Sequence, residues 1–269
     1  MFIRTNDIQL HIEIDGAGPP LLLLHGFTGS GSSWADLSAR LAPARRTIAV
    51  DLIGHGQSDA PAEPGRYRME HCVEDLLALL DALDIQRTEL LGYSMGGRVA
   101  LQLAAAAPDR IRALVLESSS PGLADPPERQ ARVAADEALA DSIEREGLAA
   151  FVERWEQLPL FASQATLPAA VRERQRAQRL QNSPAGLANS LRGMGTGRQS
   201  SLWPRLPELR LPALLIAGEL DAKYCAIARQ MAAALPNARL AIVPGAGHAV
   251  HLERPEGFAA LVQQFLLEP

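Results

Sequence analysis

The residues best suited to nucleophilic or proton-transfer chemistry lie in the run Gly92-Tyr93-Ser94-Met95-Gly96, a G-x-S-x-G pattern. The short segment Glu89-Leu90-Leu91 precedes it, and the alanine- and leucine-rich stretch at residues 99–107 follows it. The serine therefore falls between a predicted strand and a predicted helix, where a tight turn needs small residues at both glycine positions. The start of the helix adds positive potential and the free N–H of Met95. The pattern predicts a nucleophile elbow that exposes the Ser94 hydroxyl.

A serine hydroxyl is weakly reactive until a histidine, itself oriented by an acid, takes its proton. Asp221 follows the predicted strand at residues 213–217, and His248 follows the predicted strand at residues 238–243 in a glycine-rich loop. The order serine, acid, histidine is the one expected with a strand-turn-helix elbow. Glu219 competes for the role of the acid, and Asp221 could instead cap the next helix. We predict a triad of Ser94, Asp221 and His248.

Two loops after predicted strands complete the candidate site. His25-Gly26-Phe27 follows the apolar run at residues 21–24, so the backbone N–H groups of Phe27 and Met95 are predicted to form an oxyanion hole. The loop at residues 51–59 is interpreted as structural, with His55 as a hydrogen-bonded loop residue.

The glycines at residues 26–31 lack the lysine of a phosphate loop. His248 and His251 lack the pattern of a metal site, so no metal and no cofactor is predicted.

Predicted strands and helices alternate along the chain, which is typical of a mostly parallel sheet covered by helices on both faces. The strands are predicted at residues 8–14, 21–24, 47–50, 89–91, 113–116, 213–217 and 238–243. Helices are predicted at residues 73–83, 99–107, 225–235 and 256–267. Between about residues 118 and 205 the composition is helical and no strand is evident. We therefore predict an α/β core of residues 1–117 and 206–269, with residues 118–205 inserted as a helical cap.

The charge distribution narrows the ligand class. The 269 residues carry a net charge of −5, which argues against a nucleic-acid partner. Lys223 is the single lysine among 26 basic residues, and residues 165–205 hold seven arginines against one acid, Glu173. This segment of opposite charge favours a small polyanionic carboxylate as the ligand.

The cellular compartment and the oligomeric state of the protein are predicted from sequence features that are missing. Cys72 and Cys225 lie outside any paired-cysteine motif and are interpreted as free thiols of a reducing compartment. No secretory h-region and no run of about 18 apolar residues is present. We expect a cytoplasmic protein without a membrane segment, either a monomer or a small homo-oligomer.

The motifs resemble the α/β-hydrolase superfamily over nearly the whole chain. Within it, the resemblance is to the 2-succinyl-6-hydroxy-2,4-cyclohexadiene-1-carboxylate synthases of menaquinone biosynthesis. The shared triad stretches lie at residues 92–98, 218–223 and 247–253, and a further stretch lies at residues 117–123. More discriminating are two cap stretches, Trp-Glu-Gln-Leu-Pro-Leu-Phe at residues 155–161 and Asn-Ser-Leu-Arg-Gly-Met-Gly-Thr-Gly-Arg-Gln at residues 189–199. Ala249 departs from the polar residue that the family often has after the histidine.

The resemblance implies a lyase that eliminates pyruvate, in which Ser94 is the general base and the oxyanion hole holds a developing enolate oxygen. The substrate implied carries three carboxylates, which arginine binds in planar, bidentate fashion. Matching the family residue by residue suggests substrate contacts from Arg98, Arg132, Arg179, Tyr93 and Trp155. Arg129 and Arg176 are the alternatives to Arg132 and Arg179.

Two other functions remain open at this stage. A serine hydrolase acting on esters or on carbon–carbon bonds of carboxylate-bearing substrates would use the same triad. A non-catalytic receptor or scaffold with this fold commonly lacks one triad residue, whereas Ser94, Asp221 and His248 are all present.

Overall fold

The strands of the chain assemble into one eight-stranded sheet in the computed structural model, which describes residues 1–267. The strands are β1 (Phe2–Thr5), β2 (Ile8–Asp15), β3 (Pro20–Leu24), β4 (Arg46–Val50), β5 (Thr88–Tyr93), β6 (Ile111–Glu117), β7 (Ala213–Gly218) and β8 (Ala238–Val243). Their order is β1-β2-β4-β3-β5-β6-β7-β8. Pairing is antiparallel from β1 through β2 to β4 and parallel across the rest. The predicted α/β architecture is confirmed.

Helices connect the strands and cover both faces of the sheet. They are α1 (Ala35–Leu41), α2 (Met69–Ala82), α3 (Met95–Ala106), α4 (Pro126–Glu146), α5 (Leu148–Glu156), α6 (Ala169–Arg179), α7 (Pro184–Met194), α8 (Ala222–Ala234), α9 (Val250–Glu253) and α10 (Pro255–Leu267). Among residues 1–267, no helix is long and apolar enough to cross a membrane.

The central strands are apolar on both sides because both faces of the sheet are buried. In β3, Leu22 and Leu24 belong to one core cluster, whereas Leu21 and Leu23 belong to the other. Successive side chains of a strand point to opposite faces of the sheet, so an unbroken apolar run contributes side chains to both clusters. This arrangement fixes the carboxyl ends of the strands, from which the loops of the site emerge.

Residues 118–205, here called the inserted segment, join β6 to its sheet neighbour β7. The structure describes all of this segment, and it contains no strand, as predicted. Its helices enclose a separate apolar cluster built from α4, α5 and α7, with buried Ile143, Phe151 and Leu187. Phe27 of the main sheet unit packs against that cluster.

Three short elements were not predicted from the sequence, namely β1, α1 and the four-residue helix α9. The strand β1 is short and lies at the edge of the sheet, with its side chains mostly exposed, so it lacks a burial pattern. The helix α1 has only seven residues and buries only Leu37, Ser38 and Leu41. All three are short, which weakens any periodic signal.

Candidate active site

Ser94 occupies the sharp turn between β5 and α3, with φ 51° and ψ −108°. This left-handed backbone is costly for a residue with a side chain and persists only where the surroundings enforce it. The two flanking glycines are required by close packing. A Cβ atom on Gly92 would lie 2.4 Å from the carbonyl oxygen of Gly96, and one on Gly96 would lie 2.1 Å from that of Leu24. The turn therefore has the geometry expected of a nucleophile elbow.

The structure brings Ser94, His248 and Asp221 together. The imidazole Nδ1 of His248 lies 2.6 Å from Oδ2 of Asp221, and its Nε2 lies 3.1 Å from Oγ of Ser94. With the Nδ1–H donating to the carboxylate, Nε2 is free to accept the serine proton. His248 and Asp221 are both buried, which shields the hydrogen bond between their side chains from bulk solvent. The arrangement can move a proton from a substrate atom to His248 through the serine hydroxyl.

The acid facing His248 is Asp221 rather than Glu219. Asp221 also caps α8, since its Oδ1 accepts the Tyr224 N–H at 3.2 Å. The capping alternative is therefore compatible with the triad, because the two carboxylate oxygens serve different partners. Glu219 is exposed and accepts the Gly245 N–H at 3.0 Å on the neighbouring loop.

The loop that follows β3 holds Phe27 beside the serine. Nδ1 of His25 donates to the Gly26 carbonyl at 2.8 Å, and its Nε2 accepts the Leu52 N–H at 3.0 Å. Burial lowers the pKa of His25, so the neutral ring required by these two bonds is favoured. His55 stacks nearby and donates to the Ile53 carbonyl, in line with its predicted structural role. The Phe27 N–H has no acceptor within residues 1–267.

Met95 supplies the second candidate donor of the oxyanion hole. It is the first residue of α3, where a backbone N–H has no acceptor within the helix. Two free donors near one serine can stabilise negative charge that develops on a substrate oxygen.

A cavity of about 280 Å³, here called the Ser94 cavity, opens over the serine. Its lining includes Ser94 and His248 and three cationic side chains, those of Arg98, Arg132 and Lys223. No aspartate or glutamate of the described chain lines it. Across residues 1–267, no group of three or more His, Cys, Asp or Glu side chains is placed to hold a metal ion. The charge of the lining suits a ligand with several carboxylates.

Arg98 is buried at the floor of the Ser94 cavity, one helical turn after the serine. Its Nη1 donates to the Met194 carbonyl and to Oε1 of Gln199, both at 2.7 Å. Burial lowers the pKa of Arg98 to about 10, which still leaves the guanidinium charged at neutral pH. Nε and Nη2 have no protein acceptor within residues 1–267 and can bind a carboxylate. Gln199 was quoted in the sequence only as part of a family stretch, since its contact depends on tertiary structure.

Arg132 and Lys223 lie at the side of the same cavity. The Nε of Arg132 donates to Oδ1 of the buried Asp136 at 2.8 Å, which leaves its two Nη groups for a ligand. Lys223 is exposed, and its Nζ lies 5.8 Å from the ring of Tyr224. The sequence marked Lys223 as the single lysine and as the end of a family stretch, and neither feature indicated a place in the cavity.

The aromatic residues predicted for the pocket also line the Ser94 cavity. The ring of Tyr93 lies 5.3 Å from that of His248, and burial raises its pKa well above the ordinary value, so the phenol stays neutral. Trp155 packs 5.3 Å from Phe27. Tyr224, which was not predicted, lies 4.7 Å from His248, and burial raises its pKa too.

Arg179 is not among the residues that line the Ser94 cavity, and its predicted contact with the substrate stays a prediction. Its guanidinium lies 5.7 Å from the ring of Phe161 and pairs with Glu156 at 3.0 Å. It lines a second cavity beyond that ring. Of the alternatives, Arg176 also pairs with Glu156, and Nε of Arg129 donates to the Gly197 carbonyl; neither lines the Ser94 cavity.

Comparison with known proteins agrees with this fold. A family model described as the alpha/beta hydrolase fold matches residues 19–255. The chain therefore belongs to the α/β-hydrolase family, as its motifs predicted.

Similar proteins show to which group within that family the chain belongs. A 2-succinyl-6-hydroxy-2,4-cyclohexadiene-1-carboxylate synthase of Serratia proteamaculans is 36% identical, with 93% of this chain and 94% of the relative covered. A Bacillus subtilis protein with the provisional name of the same synthase is 49% identical over 94% of this chain and 92% of its own length. The solved structure of MenH from S. aureus, 34% identical, has a TM-score of 0.92 and covers 96% of this chain and 98% of its own. The chain belongs with these synthases.

Proposed function

We propose that this protein is a lyase that eliminates pyruvate from 5-enolpyruvoyl-6-hydroxy-2-succinylcyclohex-3-ene-1-carboxylate. The product is 2-succinyl-6-hydroxy-2,4-cyclohexadiene-1-carboxylate, the compound in the name of its relatives. The observation that carries the proposal is the meeting of a Ser-His-Asp arrangement with a cavity lined by three cations and no acid. Three cations in the lining complement the three carboxylates of the substrate.

In this reaction, Ser94 and His248 act together as the general base. The C–H bond beside the succinyl ketone is acidified by the carbonyl, and Oγ of Ser94 takes its proton while passing its own to Nε2 of His248. Asp221 stabilises the imidazolium that forms. The ketone oxygen becomes an enolate oxygen, and we propose that the N–H groups of Phe27 and Met95 stabilise it.

The electrons then move through the ring to the leaving group. The ring double bond at position 3 is replaced by double bonds at positions 2 and 4, and the bond from the ring to the enolpyruvyl oxygen breaks. The proton held by His248 passes to that oxygen, and the released enol tautomerises to pyruvate. The atoms balance without water, so no acyl-enzyme forms on Ser94.

Arg98 and Arg132 are proposed to bind two of the carboxylates. Arg98 offers two free guanidinium nitrogens at the floor of the cavity, and Arg132 offers its two Nη groups. Arg179 lies outside the lining of the Ser94 cavity, and its contact with the substrate remains a prediction from the resemblance. Tyr93 and Trp155 form apolar walls for the ring.

The test is a direct assay of pyruvate release from the enolpyruvyl cyclohexene, coupled to NADH oxidation by lactate dehydrogenase. We expect rapid release with the unmodified protein and none with Ser94→Ala. A parallel assay uses a chromogenic ester and a diketone acid with a cleavable carbon–carbon bond, since a similar structure, an enol-lactonase from Burkholderia xenovorans, is 30% identical with a TM-score of 0.86. Ester or diketone cleavage without pyruvate release would make the protein a hydrolase.

A further inference from the structure

The loop that carries His248 has no helix or strand of its own. It joins β8 to α9 over residues 244–249 and contains Gly245 and Gly247. Glycine loses more conformational freedom on folding than any other residue, so this sequence does not hold the imidazole in place by itself. Proton transfer from Ser94 nevertheless needs a ring fixed at hydrogen-bonding distance. The contacts that fix the loop must therefore come from neighbouring elements.

The carboxylate of Glu253 holds the backbone on both sides of His248. Its Oε2 accepts the Gly247 N–H at 2.7 Å, and its Oε1 accepts the Ala249 N–H at 3.3 Å. Glu253 is only 7% exposed, so these bonds are shielded from water. Hydrogen bonds to an ionised group are also roughly twice as strong as those between neutral groups. Together the two bonds restrict the backbone of the residue between them.

The opposite side of the loop is packed against the inserted segment. A Cβ atom on Gly247 would lie 2.1 Å from Oγ of Ser163 and 3.1 Å from Oε1 of Glu253. Ser163 belongs to the short helix at residues 159–166. The loop therefore lies between this helix and the carboxylate, and the close approach on both sides requires glycine at position 247.

The helix α9 is itself attached to the edge of the sheet through Glu117, the last residue of β6. The Glu117 carboxylate is fully buried, and it accepts the His251 backbone N–H at 3.0 Å and the His251 Nδ1–H at 2.8 Å. The backbone carbonyl of Glu117 accepts the Ser94 N–H at 2.8 Å. One residue of β6 is thus bonded both to the serine turn and to α9.

We propose that Glu253 is a positioning residue for His248, and that the Glu117–His251 pair anchors it to the serine turn. Glu253 is absent from the lining of both cavities, so it acts on the reaction only through the histidine. Its effect on pyruvate elimination rests on the proposed function, whereas its effect on the placement of the imidazole does not.

The first test is the kinetics of Glu253→Gln. The change keeps the size of the side chain but turns one acceptor oxygen into an NH2 donor, so one of the two N–H groups loses its acceptor. The loop must then shift, and a misplacement of about 1 Å can lower a rate about a hundredfold. We expect kcat for pyruvate release to fall about tenfold or more, with KM within about twofold.

The matched control is Glu256→Gln, the same change at an exposed glutamate three residues further along the chain. It should leave kcat and KM within about twofold of the unmodified protein. If Glu253→Gln fails to fold, Glu117→Gln tests the same positioning, because it alters the anchor of α9 without touching the loop. That variant should also lower kcat at nearly constant KM, and a normal kcat would contradict the proposal.

A second test follows the imidazole directly by proton NMR. The Nδ1–H of His248 lies in a 2.6 Å hydrogen bond to Asp221, and the proton of so short a bond resonates far downfield. Its signal should move or broaden in Glu253→Gln and stay unchanged in Glu256→Gln, with Tm measured for both. An unchanged signal together with an unchanged kcat in Glu253→Gln would overturn the proposal.

A third test uses the double variant. Because Glu253 acts through His248, Glu253→Gln should not slow His248→Ala any further. An additional loss as large as that in the unmodified protein would show a general structural role instead.

The positioning role and the proposed function fail in different ways. A protein that releases no pyruvate but loses the downfield signal in Glu253→Gln keeps the positioning role and loses the proposed function. A protein that releases pyruvate equally fast after Glu253→Gln keeps the function and loses the positioning role.

Discussion

Nη1 of Arg98 donates to the side-chain oxygen of Gln199, 2.7 Å away, although the two residues are 101 positions apart in sequence. Arg98 belongs to α3, directly after the serine, whereas Gln199 belongs to the inserted segment. Nε2 of Gln199 is buried and has no hydrogen-bond partner in the described chain. The amide is thus held by a single strong contact, which makes it a positioning residue for the arginine.

Replacing Gln199 with leucine should therefore weaken substrate binding without destroying the fold. A hydrogen bond to a charged group contributes about 1.5–3 kcal/mol, so we expect KM to rise about tenfold or more while kcat changes less. Gln102→Leu is the matched control, because Gln102 on the same helix donates to the Ser200 carbonyl at the surface. Equal effects of both changes on KM, or a large drop in Tm for Gln199→Leu alone, would contradict this role.

Loss of the proposed base should be large and non-additive. Ser94→Ala and His248→Ala each interrupt the same proton path, so each should lower kcat by about 10³-fold or more, and the double variant should be no slower than the slower single variant. The measurement is steady-state pyruvate release. If Ser94→Ala retains most of its activity, His248 takes the proton directly and the serine only orients it.

The stability of the protein should fall in mild acid because His55 is buried without a charge. Burial lowers the pKa of His55 to about 3, from an unfolded value of about 6.5. Between these pH values the unfolded chain binds a proton that the folded chain does not, so the free energy of unfolding falls as the pH falls. From pH 7 to pH 5, His55 should account for about 2 kcal/mol of this loss.

Urea unfolding at both pH values tests this assignment. His55→Gln removes the titration, so the difference between pH 7 and pH 5 should shrink by about 2 kcal/mol. His71→Gln, a change at a half-exposed histidine on α2, should leave the difference nearly unchanged. Equal pH dependence in His55→Gln and in the unmodified protein would rule out His55 as the source.

Lys223 should act mainly on the capture of the substrate. Its exposed ammonium lines the Ser94 cavity, so Lys223→Gln should lower kcat/KM severalfold at low salt and less at about 0.5 M salt, where charges are screened within a few ångströms. Arg229→Gln removes the same charge from an exposed position of α8 outside the cavity lining and is the control. A loss for Lys223→Gln that does not depend on salt would indicate direct contact with the bound substrate instead.

The sequence-based predictions were accurate where a local physical constraint restricts which residues can occur. The apolar run of β3 is buried on both faces, so it was visible as a continuous hydrophobic stretch. Ser94 could be located because a strained turn restricts its neighbours to glycine. The parallel sheet brings the carboxyl ends of its strands to one edge, so the loops of Asp221 and His248 could also be placed near the serine.

The lining of the cavities was much harder to predict, because it depends on how the inserted segment folds over the sheet. Arg179 and Arg132 are both arginines on helices, and no local pattern tells which of them faces the serine. In the structure Arg132 lines the Ser94 cavity, whereas Arg179 lies against the ring of Phe161 and pairs with Glu156. The contact of Gln199 with Arg98 likewise joins two residues that are distant in sequence.

The insertion between β6 and β7 has a consequence for the evolution of this fold. The two strands are direct parallel partners in the sheet, so connections of different lengths can join β6 to β7 in the same register, provided that they are long enough to cross over. The entropy of closing such a loop rises by only about 0.6 kcal/mol for each doubling of its length. New specificities can therefore arise by exchanging residues 118–205 alone, while the strained serine and its histidine are inherited unchanged.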